Sequence, residues 1–298
     1  MSRTDWRGSF AIPMTPFDDH DHIDEDALRA EIRFCVRAKV GGICAPLLVS
    51  EFRSLSEDER RTMMRITVEE CRGSDVPVVA NVAAVNTPLA VRYAEYAAAI
   101  GADAVMAMPP YIDRPDFPAI RSYYTAIARA AGRPVWIQNA GLAALSSQEI
   151  VVLCSEIPHV NWVKQEVAPS TRTIGALIDR HSPAIHGVMG GVGGRYLLAE
   201  YARGAVGCIH ACEFCDILQQ IWELLDSGQK EQAEELYERL LPALVAEEYM
   251  GMAYAKEVMV RRGVLRNNRV RGSSRPLDDA DLREIDRLMA RLQPYFRI

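Results

Sequence analysis

Short runs of β-branched and other apolar residues alternate along the chain with longer stretches whose apolar positions recur at helical spacing. The first pattern is that of buried strands and the second that of amphipathic helices, so their alternation predicts βα units around a parallel sheet. Eight pairs can be counted, with strands at 9–14, 42–47, 76–82, 104–108, 134–139, 160–164, 184–188 and 206–211. Helices fall near 24–38, 57–72, 88–100, 116–131, 147–156, 170–181, 194–202 and 213–226. Ser56 before Glu57, Asp58 and Glu59 reads as an N-cap with acids in the first turn, and Gly101 and Gly132 end helices ahead of strands. Eight units close a barrel. Beyond them, residues 229–298 hold no strand candidate, only three helical stretches broken at Pro242 and at 263–276. The fold class is therefore α/β, a (β/α)8 TIM barrel over 1–226 with a three-helix C-terminal appendage over 227–298. An open, doubly wound sheet uses the same alternation, but Gly-x-Gly-x-x-Gly does not follow the first strand.

Composition narrows the function classes. At 298 residues with 49% hydrophobic content the chain can bury a large core, as one barrel or as two smaller domains. A net charge of -6 leaves no basic surplus to draw it onto nucleic acid or anionic lipid. The local run Arg261, Arg262, Arg266, Arg269, Arg271 and Arg275 lacks interleaved aromatic residues and reads as a solvated or subunit-contact surface. Residues 1–10 are polar, with no signal-like apolar core, and nowhere do eighteen apolar residues run together. A cytoplasmic protein is expected, with its seven scattered cysteines reduced.

Barrel enzymes place their chemistry at the C-terminal ends of strands, which directs attention to Lys164. It ends the run Val160-Asn161-Trp162-Val163-Lys164, and period-two alternation puts Val160, Trp162, Lys164 and Glu166 on one face. A lysine buried there must lose its charge or find a partner, and desolvation favours the neutral, nucleophilic amine. A strand-end lysine that merely snorkels to solvent is the ordinary alternative. The glycines at 187, 190, 191, 193 and 194 follow the seventh strand, where backbone N–H groups could hold an anion or simply form a loop. His210 has a useful pKa for moving a proton, but it could equally be a core histidine satisfied by a carbonyl. Cys208-x-His210-x-Cys212-x-x-Cys215 has metal-ligand spacing, against which stands the habit of cysteines to fill cores. Cys44 is read as such a filler, and Met250, Met252 and Met259 as core packing.

Several motifs share order and spacing with one family. They are Ala11-Ile12-Pro13-Met14-Thr15-Pro16-Phe17, the 51–57 segment with Leu55-Ser56, Asn86-Thr87-Pro88-Leu89-Ala90, Gly101-Ala102-Asp103-Ala104-Val105, Pro109-Pro110-Tyr111, Gly204-Ala205-Val206-Gly207 and Arg275-Pro276-Leu277. The chain thereby resembles the dihydrodipicolinate synthase/N-acetylneuraminate lyase family across residues 8–295, as a divergent member. The resemblance implies that Lys164 forms a Schiff base with a 2-oxo acid such as pyruvate, without any cofactor or metal, in a homotetramer or homodimer.

Its departures bear on the substrate. The family's Gly-Thr-Thr-Gly-Glu loop is here Leu47-Leu48-Val49-Ser50-Glu51, without the two hydroxyls that hold the pyruvate carboxylate. The loss of each hydroxyl donor costs about 0.5–1.5 kcal/mol. The relay tyrosine ending the fifth strand falls at Gln138, which has no acid or base function near neutral pH, and the second tyrosine of the family's pair falls at Ile112. Leu142, Ala143 and Ala144 stand where the lysine-pathway synthase has an arginine, which argues against that activity. Replacement proton carriers are sought among Glu166, Glu51 and His210. The reading is a carbon–carbon or carbon–oxygen lyase, an aldolase or dehydratase, with Lys164 and Gln138 as catalytic pair. Leu48, Val49, Ser50, Asn139, Glu166, Gly191, Ile209 and His210 are the candidate substrate contacts. Leu48, Val49, Ile112 and Trp162 point to a substrate less polar than a sugar acid. Two alternatives are a degenerate barrel that binds a small acid without turnover and a metal-assisted enzyme built on Cys208, His210, Cys212 and Cys215.

Overall fold

Strands form wherever the sequence offers a short run that can be buried on both faces, and in the computed structural model all eight close into one parallel barrel. The structure describes residues 5–113, 115–179, 182–272 and 274–298. The sheet order is sequential and closed, through β1 (Gly8–Ile12), β2 (Gly42–Ala45), β3 (Val78–Asn81), β4 (Ala104–Ala107), β5 (Val135–Asn139), β6 (Val160–Gln165), β7 (Gly187–Gly190) and β8 (Gly207–Ala211). The intervening helices are α1 (Glu25–Arg37), α2 (Glu57–Cys71), α3 (Thr87–Ile100), α4 (Phe117–Ala131), α5 (Ser147–Glu156), α6 (Ser170–Asp179), α7 (Leu197–Tyr201) and α8 (Cys215–Asp226). They are followed by α9 (Lys230–Met250), α10 (Met252–Arg261) and α11 (Asp279–Leu292). Positions 1–4, and positions 180–181 at the end of the sixth expected helix, lie outside the described residues.

Local chemistry explains most boundaries. Ser56 accepts from the Glu59 backbone N–H while the Glu59 carboxylate accepts from the Ser56 N–H, a reciprocal cap that Ser146 and Glu149 repeat on α5. Gly101 and Gly132 stop α3 and α4 in left-handed geometry. Two expectations need correction. The seventh strand is displaced from 184–188 to Gly187–Gly190, because its glycines are imposed by large neighbours. A Cβ on Gly187 would sit 2.3 Å from the Trp162 ring, and one on Gly190 would sit 1.8 Å from the Glu200 carboxylate. The C-terminal helices do not break at Pro242, which α9 absorbs in its interior. They break at Gly251, whose φ of 72° and ψ of -157° only glycine adopts readily, and again, as expected, between Arg261 at the end of α10 and Asp279 at the start of α11.

The chain resolves into two compact units. One, comprising Pro77–Val192, Tyr196–Ile209 and the segment before Gly8, holds β3 to β7, most of β8, and α3 to α7. Its core includes Trp6, Trp136 and Trp162, the last two stacked at 4.9 Å and 14°, with Trp6 within 5.3 Å of each. The other, comprising Gly8–Val76, Gly193–Arg195 and His210–Ile298, holds β1, β2, α1, α2 and α8 to α11. Within it the fully buried Lys256 of α10 meets Glu51 at 2.6 Å. The other Glu51 oxygen accepts from the backbone N–H groups of Arg271 at 2.9 Å and Gly272 at 3.0 Å. This clamp fixes the turn after β2 to the segment after α10. No helix among the described residues is long and apolar enough to cross a membrane. All seven cysteines are buried and unbridged.

Candidate active site

Register decides which side chains share a face. Gln138 of β5 pairs with Lys164 of β6, Lys164 with Met189 of β7, and Met189 with Gly207 of β8. Partners across parallel strands point to the same side, so Gln138, Lys164, Met189 and Ile209 form one surface, and Trp136 and Trp162 lie one step below on the same side. The opposite side of β7 meets Glu200 of α7 through Gly190, which makes that the helix-facing side. Lys164 therefore faces the barrel interior.

Lys164 is only 3% exposed, and its Nζ lies 3.0 Å from Oε1 of Glu166. The other Glu166 oxygen accepts a hydrogen bond of 2.8 Å from the Gln138 amide. One carboxylate thus bridges the amine and the amide. Gly191 makes room for it, since a Cβ there would fall 2.4 Å from Glu166 Cγ. Gln138 is fully buried, and its Oε1 has no hydrogen-bond partner. The structure thus joins Lys164, Gln138, Glu166 and Gly191, with Ile209 on the same face.

The remaining candidates have contacts of their own. Asn139 alternates to the helix side, where its amide holds Leu145 N at 2.7 Å, Leu145 O at 3.0 Å and Gln165 Oε1 at 2.8 Å, pinning the loop after β5. His210 alternates away from Ile209. Its Nε2 meets Ser9 Oγ at 2.6 Å and its Nδ1 meets the Ala211 carbonyl at 2.7 Å, so a structural role accounts for both nitrogens. In the turn after β2, the Ser50 hydroxyl accepts from Leu47 N and donates to Pro13 O at 2.6 Å, while Leu48 and Val49 are half-buried. Ile112, at the second tyrosine position, is 70% exposed. Among the described residues no three His, Cys, Asp or Glu side chains are grouped to hold a metal ion, and Cys212 donates instead to Glu31 Oε1.

Glu200 escaped the sequence reading. It is buried behind Gly190, accepts from Ser170 Oγ at 2.6 Å, and its second oxygen has no partner. Burial pushes its carboxyl up to about 7, with the Ser170 hydroxyl opposing and the Glu166 charge adding to the rise. The only signal in the sequence is one acid inside the otherwise apolar Leu197-Leu198-Ala199-Glu200-Tyr201.

A closed parallel barrel with a buried lysine at the end of its sixth strand defines the class of protein. The chain belongs to the dihydrodipicolinate synthetase family, whose sequence model matches residues 5–293. It is 28% identical to an L-2-keto-3-deoxyarabonate dehydratase of Azospirillum brasilense, over 97% of this chain and 95% of that one. It is 33% identical to a probable 5-dehydro-4-deoxyglucarate dehydratase of Methylobacterium radiotolerans, over 60% of each. Among solved structures it resembles a dihydrodipicolinate synthase of Rhodopseudomonas palustris, with a TM-score of 0.89 and 24% identity over 97% of this chain and 98% of that one. It also resembles YagE of E. coli K12 in complex with pyruvate, with a TM-score of 0.89 and 18% identity over 97% and 99%.

Proposed function

We propose that the protein is a Schiff-base lyase in which Lys164 condenses with the carbonyl of a 2-oxo acid and the resulting iminium draws electrons from the bond that breaks. The carrying observation is the amine itself, buried on the interior face at the end of β6 and held by a single carboxylate 3.0 Å away. An iminium at this position is an electron sink for either aldol cleavage or dehydration. The near full-length similarity to a dehydratase of a keto-deoxy acid supports a related substrate and an elimination, in place of the substrate less polar than a sugar acid that Leu48, Val49, Ile112 and Trp162 suggest. Gln138, Ile112 and Leu142 to Ala144 stand against the lysine-pathway synthase, because they replace the tyrosines and the arginine that the resemblance associates with it.

The test is borohydride reduction in the presence of pyruvate and a panel of larger 2-oxo acids, followed by peptide mass analysis. Only Lys39, Lys164, Lys230 and Lys256 can react as lysines, so the adduct maps without ambiguity. Mass added at Lys164, and lost in Lys164→Ala, is the expected result; an unmodified chain, or label at another lysine, rejects the reading. Gln138 at the relay position favours a second reading, a binder without turnover, which an adduct unaccompanied by product from any of the acids would support.

A further inference from the structure

We propose that Glu166 is the proton-transfer residue of this site, taking the proton from Lys164 before attack and then the proton at C3 of the bound 2-oxo acid, with Gln138 as the residue that positions it. The inference deepens the Schiff-base reading and rests on it. It also answers a question that reading leaves open, since an amide occupies the place where the resemblance expects a tyrosine relay.

The geometry distinguishes Glu166 from a passive counterion in three ways. Its oxygens are divided, one at 3.0 Å from the amine and the other held at 2.8 Å by the Gln138 amide, so the second bond orients the carboxylate toward Lys164. Space is reserved for it, because any side chain at 191 would collide with its stem. The residues that share this face, Gln138, Met189 and Trp162, carry no group that ionises near neutral pH, and the acid nearby that does, Glu200, lies on the helix-facing side with its carboxyl held by Ser170. A carboxylate within hydrogen-bond reach of the amine meets the geometric requirement of a general base for the amine's own proton, and the carbons that become attached to that amine are brought up to the same carboxylate.

The steps balance. The Lys164 ammonium passes one proton to Glu166, and the neutral amine attacks C2, giving a carbinolamine as the second nitrogen proton moves to oxygen. Glu166 returns its proton to that hydroxyl, which leaves as water, and the iminium remains. The carboxylate then removes a proton from C3, and the C–H electrons form the enamine. In an acid that carries a hydroxyl at C4, the enamine electrons expel it, with the Glu166 proton completing a second water. Hydrolysis of the imine by solvent water releases product and restores the amine. The unpartnered Gln138 Oε1 is an acceptor available to a substrate hydroxyl.

Exchange of the pyruvate methyl protons in D₂O, followed by proton NMR, reads the C3 step without requiring the physiological substrate. The full-length protein, Glu166→Gln and Glu166→Asp are compared, with borohydride trapping of pyruvate on Lys164 measured in parallel. Glu166→Gln is expected to lose roughly 10²- to 10⁴-fold in exchange rate, the usual contribution of a positioned base. Its trapping should recover at alkaline pH, where solvent deprotonates the amine, while exchange stays low; Glu166→Asp should regain part of the exchange. Trapping in the variant also reports that the site is folded. Wild-type exchange in Glu166→Gln, or exchange that returns together with trapping at alkaline pH, overturns the assignment and leaves the Schiff-base reading intact. A wild-type protein that forms no adduct overturns both.

Discussion

A carboxylate shared between an amine and an amide depends on very little free space around it. Gly191 supplies that space, and its replacement is a sharper probe of the site than removal of a polar group. Gly191→Ala would push Glu166 out of line with Lys164 without deleting any functional atom. A displacement of about 1 Å costs on the order of 10²-fold in rate when reacting groups are misplaced. We expect turnover to fall by about that factor while borohydride trapping on Lys164 persists; undiminished turnover would show that the carboxylate need not sit where it does. The site was partly legible at this scale. Period-two alternation placed Lys164 and Glu166 together, because they are two residues apart and the extended backbone runs on to the end of β6 between them. The Gln138–Glu166 bond was not legible, since it depends on the register between β5 and β6, which no local pattern encodes. His210 showed a suitable residue type, but its partner Ser9 lies 201 positions away in the chain.

Elements were read best where their own residues determine them. The reciprocal cap at Ser56 and the left-handed glycines at 101 and 132 are local devices, and the expected ends of those helices fall within a residue or so of the observed ones. The seventh strand was misplaced because Gly187 and Gly190 have weak strand preference and are set by Trp162 and Glu200. Pro242 misled for the opposite reason. Its local cost is real, but the packed face of α9, with Leu236, Leu240, Ala243 and Leu244 buried, carries the helix through it. The break lies at Gly251, whose backbone geometry forbids most residues while the space around its Cα is open. Gly251→Ala should therefore destabilise through the backbone alone, by about 1–3 kcal/mol. Urea unfolding measures this, and an unchanged midpoint would mean that α9 and α10 can meet without the special conformation.

At the scale of the whole molecule, burial of acids makes stability depend on pH in an unusual direction. Burial, the dominant cause, lifts the carboxyls of Glu31 and Glu200 to about 7 from a starting value of 4.5. Below the unfolded value both states hold the proton and no charge is buried. As pH rises through about 7, the unfolded chain has already released its protons, and folding must retain them or bury the charge. Stability is therefore full at acidic pH within this window and declines toward alkaline pH, by at most about 3 kcal/mol for each group. Urea midpoints should fall between about pH 5 and about pH 8, and Glu200→Gln should flatten part of the slope. A midpoint that rises over the same interval would show these acids to be ionised in the folded protein. The stacked tryptophans have a consequence of a different kind. Trp136 and Trp162 lie on the same two strands, and on the same side of them, as the amide and the amine, with Trp6 closing the group. An imine formed at Lys164 would arise two residues along from Trp162, within the surroundings that these stacked indoles sense. Under the Schiff-base proposal, emission from the floor beneath the amine would serve as a gauge of whether that amine is occupied.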